Sequence, residues 1–185
     1  MSQSQSPGDD VTERVEHYWA IVAALVVALM IVVAAVAGIH QATMPQVRVE
    51  TVDPTTLHVA GEFIESNLGS AVNPDGSVTV RVVGQQYSFT PQCILVPTGT
   101  LITFRATSAE VIHGFLIGGT NVNTMLVPGY VSVISTRFDV PGERLMPCHE
   151  FCGFGHEGMW AHLQIIDKAA FMKLAADRRR LDCVK

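Results

Sequence analysis

Charged side chains are scarce in this chain and are missing from one long window near its N-terminus. Asp, Glu, Lys and Arg make up 16% of the 185 residues, and residues 17–47 contain none of them. Residues 19–39 are apolar throughout, and about twenty apolar residues in a helix are enough to cross a bilayer. A buried helix of a soluble domain is the alternative, but such helices are rarely apolar on every side. The sequence therefore predicts a transmembrane helix over residues 18–39.

The segment before this helix lacks the features of a cleaved signal peptide. A signal peptide has a basic leader, a shorter apolar core and a small-residue cleavage site. Residues 1–16 instead carry four acidic residues and one arginine. We therefore expect an N-terminal segment over residues 1–17 followed by a retained anchor. Arg14 and Arg48 flank the anchor equally, so the distribution of positive charge does not set its orientation.

After the anchor, residues 40–77 are rich in Pro, Gly, Thr and Asn and are predicted to be a linker. Short strands separated by turns then follow, which predicts an all-β domain over residues 78–167, built as an antiparallel sandwich or barrel with Greek-key connections. The remaining residues, 168–185, are predicted as a helix and tail, with Asp167 as the helix cap. The predicted strands span 78–83, 87–89, 94–96, 101–106, 131–138 and 162–166.

Cysteine is also rare, with four residues in the chain, and two of them lie in one glycine-rich loop. Sulfur ligands favour Cu(I), imidazole suits copper in both oxidation states, and a methionine can add a weak axial bond. The loop therefore predicts a copper site. The other two cysteines, Cys93 and Cys183, are compatible with either a disulfide or two buried thiols. The loop has the pattern C-x3-C-x3-H-x2-M, formed by Cys148, Cys152, His156 and Met159.

The number of donor groups favours two copper ions over one. A single blue-copper site uses one Cys, two His and a weakly bound Met, which would leave one thiolate of the loop unused. Two bridging thiolates can instead hold two ions, with His113 on one and His156 on the other. Met159 and the backbone carbonyl of Glu150 would then be the weak axial donors. The sequence thus predicts a binuclear centre that carries electrons with little rearrangement on reduction.

Three other interpretations use part of the same residues. Cys148 and Cys152 could form a disulfide, or they could bind zinc together with His156, but neither arrangement uses Met159. A mononuclear copper site is the third. His113 alone, in an apolar stretch, would usually be a buried histidine without a ligand role.

These residues resemble those of subunit II of the haem-copper cytochrome c oxidases, which holds a binuclear CuA centre in a cupredoxin domain. A single N-terminal anchor resembles the B-type prokaryotic branch. The resemblance implies copper ligation by the side chains of His113, Cys148, Cys152, His156 and Met159, and by the carbonyl oxygen of Glu150. The segments that carry it are 148–159, 111–115, 119–123, 127–129, 140–143 and 52–56.

The resemblance also implies a place in a respiratory chain and a location. The N-terminus would be cytoplasmic, and the copper domain would lie on the outer face of a prokaryotic plasma membrane. Electrons from cytochrome c, or from a small blue-copper protein, would enter the copper centre and pass to the haem and CuB of subunit I. This chain offers no place for a haem. The reduction of O2 and the translocation of protons would therefore belong to subunit I. No nucleic acid is expected as a partner.

The chain departs from the A-type relatives at the aromatic run near their copper centre. Those relatives have a glutamine-tryptophan-tyrosine-tryptophan sequence, whereas residues 84–89 contain no tryptophan. The aromatic residue that contacts the electron donor would then be Tyr87, Phe89 or Trp160. A-type subunits also use the glutamate between the cysteines to bind magnesium, which is not expected of Glu150.

Two further expectations concern protons and partners. Glu16 lies just before the anchor, where it could deliver protons to subunit I or simply be a solvated acid favoured by the helix dipole. From residue 40 onward the chain has eleven basic and thirteen acidic residues, so its charge is nearly balanced. We therefore do not expect strong electrostatic steering of the electron donor and expect an apolar docking surface instead. The alternative functions are the copper subunit of a nitric oxide reductase and a membrane-tethered copper carrier.

Overall fold

The structure, a computed structural model, describes residues 7–41, 49–177 and 180–183. They belong to two separate compact units, divided between residues 47 and 48. The first unit contains one helix, and the second contains all the strands that the described residues form.

The helix of the first unit, α1, spans Pro7–Gln41 and so begins well before the predicted anchor at residue 18. Its stretch Val11–Ala37 has a mean hydropathy of 3.1, and none of its side chains is buried within the unit. By length and composition it is able to cross a membrane. Glu16 lies inside this helix with its side chain exposed.

The second unit is a sandwich of two sheets with a hairpin and a C-terminal helix. Its strands are β1 (Gly69–Val72), β2 (Val78–Gln85), β3 (Ser88–Thr90), β4 (Cys93–Pro97), β5 (Ile102–Ser108), β6 (His113–Leu116), β7 (Asn123–Leu126), β8 (Ser132–Thr136), β9 (Gly142–Pro147) and β10 (Trp160–Ile166). In the larger sheet the strand order is β1-β2-β5-β8, with β3 also paired to β2, and in the smaller one it is β4-β10-β9. The hairpin consists of β6 and β7, and the helix α2 spans Lys168–Asp177.

The predicted two-sheet sandwich is confirmed, but the prediction that it is antiparallel throughout is wrong. β2 pairs with β5 in parallel, and β4 pairs with β10 in parallel, while the other pairs are antiparallel. The physical reason is that the chain leaves the larger sheet after β3 to build β4 in the smaller one. When it returns as β5, it runs in the same direction as β2.

The core between the sheets follows from the alternation of side chains along each strand. In β10, Ala161, Leu163 and Ile165 are buried, whereas the alternate residues Trp160, His162 and Gln164 are exposed. Such alternation places one face of the strand on the core and the other in solvent. Each fully buried large aliphatic or aromatic side chain contributes about 1.5–3 kcal/mol relative to exposure.

The structure differs from the predicted linker over residues 49–77, which pack on the sandwich; residues 42–48 lie outside the described part. Leu57, Phe63 and Leu68 form a second buried cluster with Val83 of β2. Strand β1 also lies within this segment and pairs with β2. The apolar residues of this segment follow neither a helical nor a strand period and stand among Pro and Gly residues. The sequence pattern therefore did not predict that they are buried.

An ion-pair cluster fixes the same segment to the outside of the larger sheet. Glu62 accepts hydrogen bonds from Arg81 (2.8 Å) and from Arg105 (2.6 Å and 2.7 Å), and Arg105 also pairs with Glu50. Burial raises the pKa of Glu62, but the hydrogen bonds and charges of the two arginines outweigh it, and the pKa lies below its usual value.

A disulfide between Cys93 and Cys183 ties the end of the chain to β4, with 5.4 Å between the Cα atoms. The sequence was compatible with this bond and with two free thiols, and the structure contains the bond. Leu181 is buried and exchanges backbone hydrogen bonds with Ser70. The predicted cap is confirmed, because Asp167 accepts hydrogen bonds from the backbone N–H groups of Ala169 and Ala170, at 2.8 Å and 3.4 Å.

Replacing Cys183 with Ser should destabilise the second unit by about 2–4 kcal/mol, because the bond closes a long loop in the unfolded chain. The measurement is a urea titration of the full chain in detergent, followed by near-UV circular dichroism. The double variant C93S/C183S is the control and should match the single one. An unchanged midpoint would contradict a stabilising role.

Replacing Glu62 with Gln should lower stability at pH 7 by about 1–2 kcal/mol, because charged hydrogen bonds are lost from a partly exposed cluster. Since the pKa of Glu62 is depressed in the folded state, its contribution is present above the unfolded pKa and disappears as the pH falls below it. Urea titrations at pH 7 and pH 4 should therefore show the difference from wild type shrinking. Glu65→Gln, at an exposed residue, is the matched control and should show no such change.

Candidate metal centre

The predicted ligand loop connects the antiparallel neighbours β9 and β10. Strand β9 ends at Pro147 and β10 begins at Trp160, so the sheet fixes both ends of the loop. The backbone N–H of Cys148 donates to the carbonyl oxygen of Met159 at 3.0 Å, which closes the loop at its base. A short 3-10 turn, His156–Gly158, presents the last histidine and the methionine.

The structure brings the predicted side-chain donors together. The two cysteine Sγ atoms are 3.8 Å apart, and each faces one imidazole through its Nδ1 atom. For Cys148 the partner is His113 at 3.9 Å, and for Cys152 it is His156 at 3.6 Å. The Sδ atom of Met159 lies 3.7 Å from the Sγ atom of Cys152.

The backbone donor is also in place. The carbonyl oxygen of Glu150 lies 3.2 Å from the Sγ atom of Cys148, while the Glu150 side chain is exposed. Each cysteine thus has an imidazole on one side and a weaker donor close by. The arrangement therefore has two similar halves, one around each cysteine.

Burial sets the protonation states of this site. Loss of hydration, and then the neighbouring Cys148, raise the pKa of the Cys152 thiol to about 11. Loss of hydration, and then His156, lower the pKa of His113. At neutral pH the site therefore holds a neutral imidazole, which is ready to bind a metal, and a thiol that must release its proton on binding.

The donor groups at this site outnumber those that a disulfide or a single zinc ion would use. Cys148 and Cys152 are free thiols in this structure, and a tetrahedral zinc site needs only four donors. Here Met159 is fully buried and lies against Cys152, and a carbonyl oxygen lies against Cys148. The site thus offers six donor groups: two thiols, two imidazoles, one thioether and one carbonyl oxygen.

Three residues that support the loop have no signal in the sequence pattern. The Nε2 atom of Gln86 donates to the carbonyl oxygen of Cys152 at 2.6 Å, and the hydroxyl of Tyr87 accepts from the backbone N–H of Phe154 at 3.0 Å. At Gly114, an added Cβ would lie 2.7 Å from both the N atom of Glu150 and the Nδ1 atom of His149.

The aromatic residues considered for donor contact separate by exposure. Phe89 is fully buried and packs edge-on against His113, with ring centroids 6.4 Å apart, so it cannot belong to an exposed contact surface. Trp160 is 47% exposed and Tyr87 38%. Two residues that the prediction omitted are more exposed still: Phe151 at 76% and Phe154 at 100%, both inside the ligand loop.

The sequence of the chain is similar to those of known proteins. The family described as cytochrome c oxidase subunit II, periplasmic domain, matches residues 78–166. Cytochrome c oxidase subunit 2 of Thermus thermophilus is 35% identical over 122 residues, which are 66% of this chain and 90% of the relative. The same subunit from a second source of this organism is also 35% identical, over 73% of its length. The chain therefore belongs to the cytochrome c oxidase subunit 2 family.

The fold agrees with this membership. A chain from the cryo-EM structure of a heme-copper terminal oxidase dimer superposes with a TM-score of 0.54 and 24% identity, covering 82% of this chain and 99% of that one. The predicted cupredoxin-like sandwich, preceded by a single apolar helix, is confirmed.

Replacing Gly114 with Ala should displace the loop at Glu150, because the new Cβ would meet backbone that cannot rotate away. Overpacking of this kind costs about 1–3 kcal/mol and should lower both the melting temperature and the copper content. Gly118→Ala is the matched control, since its nearest neighbour would be the carbonyl oxygen of Leu145 at an ordinary 3.5 Å. Equal melting temperatures and copper contents for the two variants would contradict this assignment.

Proposed function

We propose that this chain is the electron-accepting subunit of a respiratory cytochrome c oxidase and that it holds a binuclear CuA centre. The observation that carries the proposal is the set of six donor groups, each 3.2–3.9 Å from its sulfur neighbour. The ligands would be the side chains of His113, Cys148, Cys152, His156 and Met159, with the carbonyl oxygen of Glu150. When bound, the copper pair supplies reversible one-electron redox chemistry.

The protein's part in this function is to keep the donors still. His113 is fixed from behind by Phe89, which packs on Phe115 at 5.7 Å between ring centroids. The β9–β10 pairing fixes both ends of the loop, and the buried Met159 closes the site from the core side. Because the donors cannot relax when the charge changes, reorganisation on electron transfer is small.

The exposed aromatic side chains around the site provide the docking surface for the electron donor. Phe151 lies edge-on to the ring of His156, with 5.8 Å between centroids, and is largely exposed on its other side. Phe154, Trp160 and Tyr87 extend the same apolar surface. With nearly balanced charge in the second unit, cytochrome c or a small blue-copper protein would bind here mainly through apolar contact.

Electrons would then pass to subunit I, the partner that would hold haem and CuB, reduce O2 to water and translocate protons. α1 would anchor the chain in a prokaryotic plasma membrane, with its N-terminus in the cytoplasm and the second unit outside. The Cys93–Cys183 disulfide supports the outer location, because such bonds persist in oxidising compartments. In this orientation Glu16 would lie on the cytoplasmic side, where it could pass protons to subunit I.

The enclosure of the site argues against a copper carrier. His113 and Met159 are fully buried, whereas a carrier needs donors that a partner can reach. A nitric oxide reductase with the same electron-accepting subunit would differ only in its catalytic partner, so turnover of the assembled complex with O2 and with nitric oxide distinguishes the two.

The direct test is electron paramagnetic resonance on the copper-loaded full chain, with metal counted on the same sample. One unpaired electron shared by two copper nuclei gives a seven-line hyperfine pattern with two coppers per chain. Cys152→Ser removes one bridge and should leave a four-line spectrum of a single copper. The double variant C93S/C183S, outside the loop, is the control: it leaves no unpaired thiol there and should keep the seven lines. A four-line spectrum or bound zinc in the wild type would overturn the proposal.

A further inference from the structure

The turn between β2 and β3 lies against the ligand loop and holds it at two points. The side-chain N–H of Gln86 donates to the carbonyl oxygen of Cys152 at 2.6 Å. The backbone N–H of Phe154 donates to the hydroxyl oxygen of Tyr87 at 3.0 Å. Two consecutive residues of the turn therefore hold the predicted ligand Cys152 and Phe154, a residue between Cys152 and the next predicted ligand, His156.

The ligand loop and the turn pack so closely that no side chain fits between them. Gly153 has a φ of +131°, and a Cβ there would lie 2.7 Å from the Tyr87 hydroxyl oxygen and 2.8 Å from the Gln86 Nε2 atom. At Gly155 a Cβ would lie 2.7 Å from the Cδ2 atom of Tyr87. Glycine alone fits at both positions, so the loop sequence is adapted to this turn as well as to the metal.

The turn is itself fixed to the rigid part of the molecule. β2 pairs with β5 from Val78 to Gly84 and with β3 on its other edge, and its last residue, Gln85, pairs with Ser88. The backbone N–H of Gln86 also donates to the carboxylate of Glu110 at 3.3 Å. The ligand loop, by contrast, consists of irregular backbone and one 3-10 turn. The turn is therefore the better anchored of the two segments, and it fixes the position of the ligand loop.

We infer that Gln86 and Tyr87 are positioning residues. They set the separation of Cys152 and His156 and thereby the affinity of the site for its metal. Neither residue is among the predicted ligands, but both restrain the short backbone segment that joins these two donors. The Sγ and Nδ1 atoms of the two donors are 3.6 Å apart. Groups that orient metal ligands typically change metal affinity about 10–100-fold when they are removed. The identity of the metal rests on the proposed function; the restraint on the loop does not.

The test compares three variants of the full chain in detergent. Gln86→Met keeps the length of the side chain but removes its N–H donor, and Tyr87→Phe keeps the ring but removes the hydroxyl. Gln164→Met, at an exposed position of β10, is the matched control for the same chemical change. We expect Gln86→Met to lose copper to a chelator about 10–100-fold faster than Gln164→Met, with an altered copper hyperfine splitting.

A second measurement needs no metal. In the copper-free chain, hydrogen–deuterium exchange at the backbone amide of Phe154 should be faster in Tyr87→Phe than in wild type, because that N–H loses its acceptor. Equal copper-loss rates for Gln86→Met and Gln164→Met, or unchanged exchange at Phe154, would overturn the inference. A wild type without the seven-line spectrum would instead overturn the proposed function and leave the exchange result as the test of the restraint.

Discussion

The antiparallel pairing of β9 and β10 is the constraint on which the rest of the site depends. It places Pro147 opposite Trp160, so the residues just inside them, Cys148 and Met159, meet at the base of the loop and share a backbone hydrogen bond. The first and last ligands of a twelve-residue loop are thus fixed by a sheet rather than by the loop itself. His113 joins them from β6, which packs beside β9.

Burial sets the protonation of two groups at the site and the accessibility of its donors. The apolar core around Met159 and His113 keeps the imidazole neutral and raises the pKa of the Cys152 thiol. The Cys152 thiol therefore keeps its proton at neutral pH and would release it when a metal binds, since thiolates are poorly stabilised away from water. The two imidazoles differ in burial: His113 is fully buried, whereas His156 is half-buried beside the exposed ring of Phe151.

The sequence predicted the parts of the structure whose determinants lie close together in the chain. The ligands of the loop and the cap at Asp167 carry local patterns, and the structure brings those ligands together and confirms the cap. The parallel pairing of β2 with β5 and the contact of Gln86 with Cys152 depend on residues brought together only by folding. A glutamine in a two-residue turn has no local signature, and the 90-residue separation of the disulfide partners left their bond open.

The glycines of the ligand loop explain why outside support is needed. Gly153 and Gly155 allow the loop to lie directly on the ring and hydroxyl of Tyr87, but glycine also loses more conformational freedom on folding than any other residue. A loop with such a composition cannot keep two donors still by its own preference. Its rigidity must come from neighbours that are already rigid, and the β2–β3 turn, anchored in the larger sheet, is the neighbour in contact. The contact between the loop and the turn therefore has two consequences: it packs the loop closely, and it fixes the positions of the donors that the loop carries.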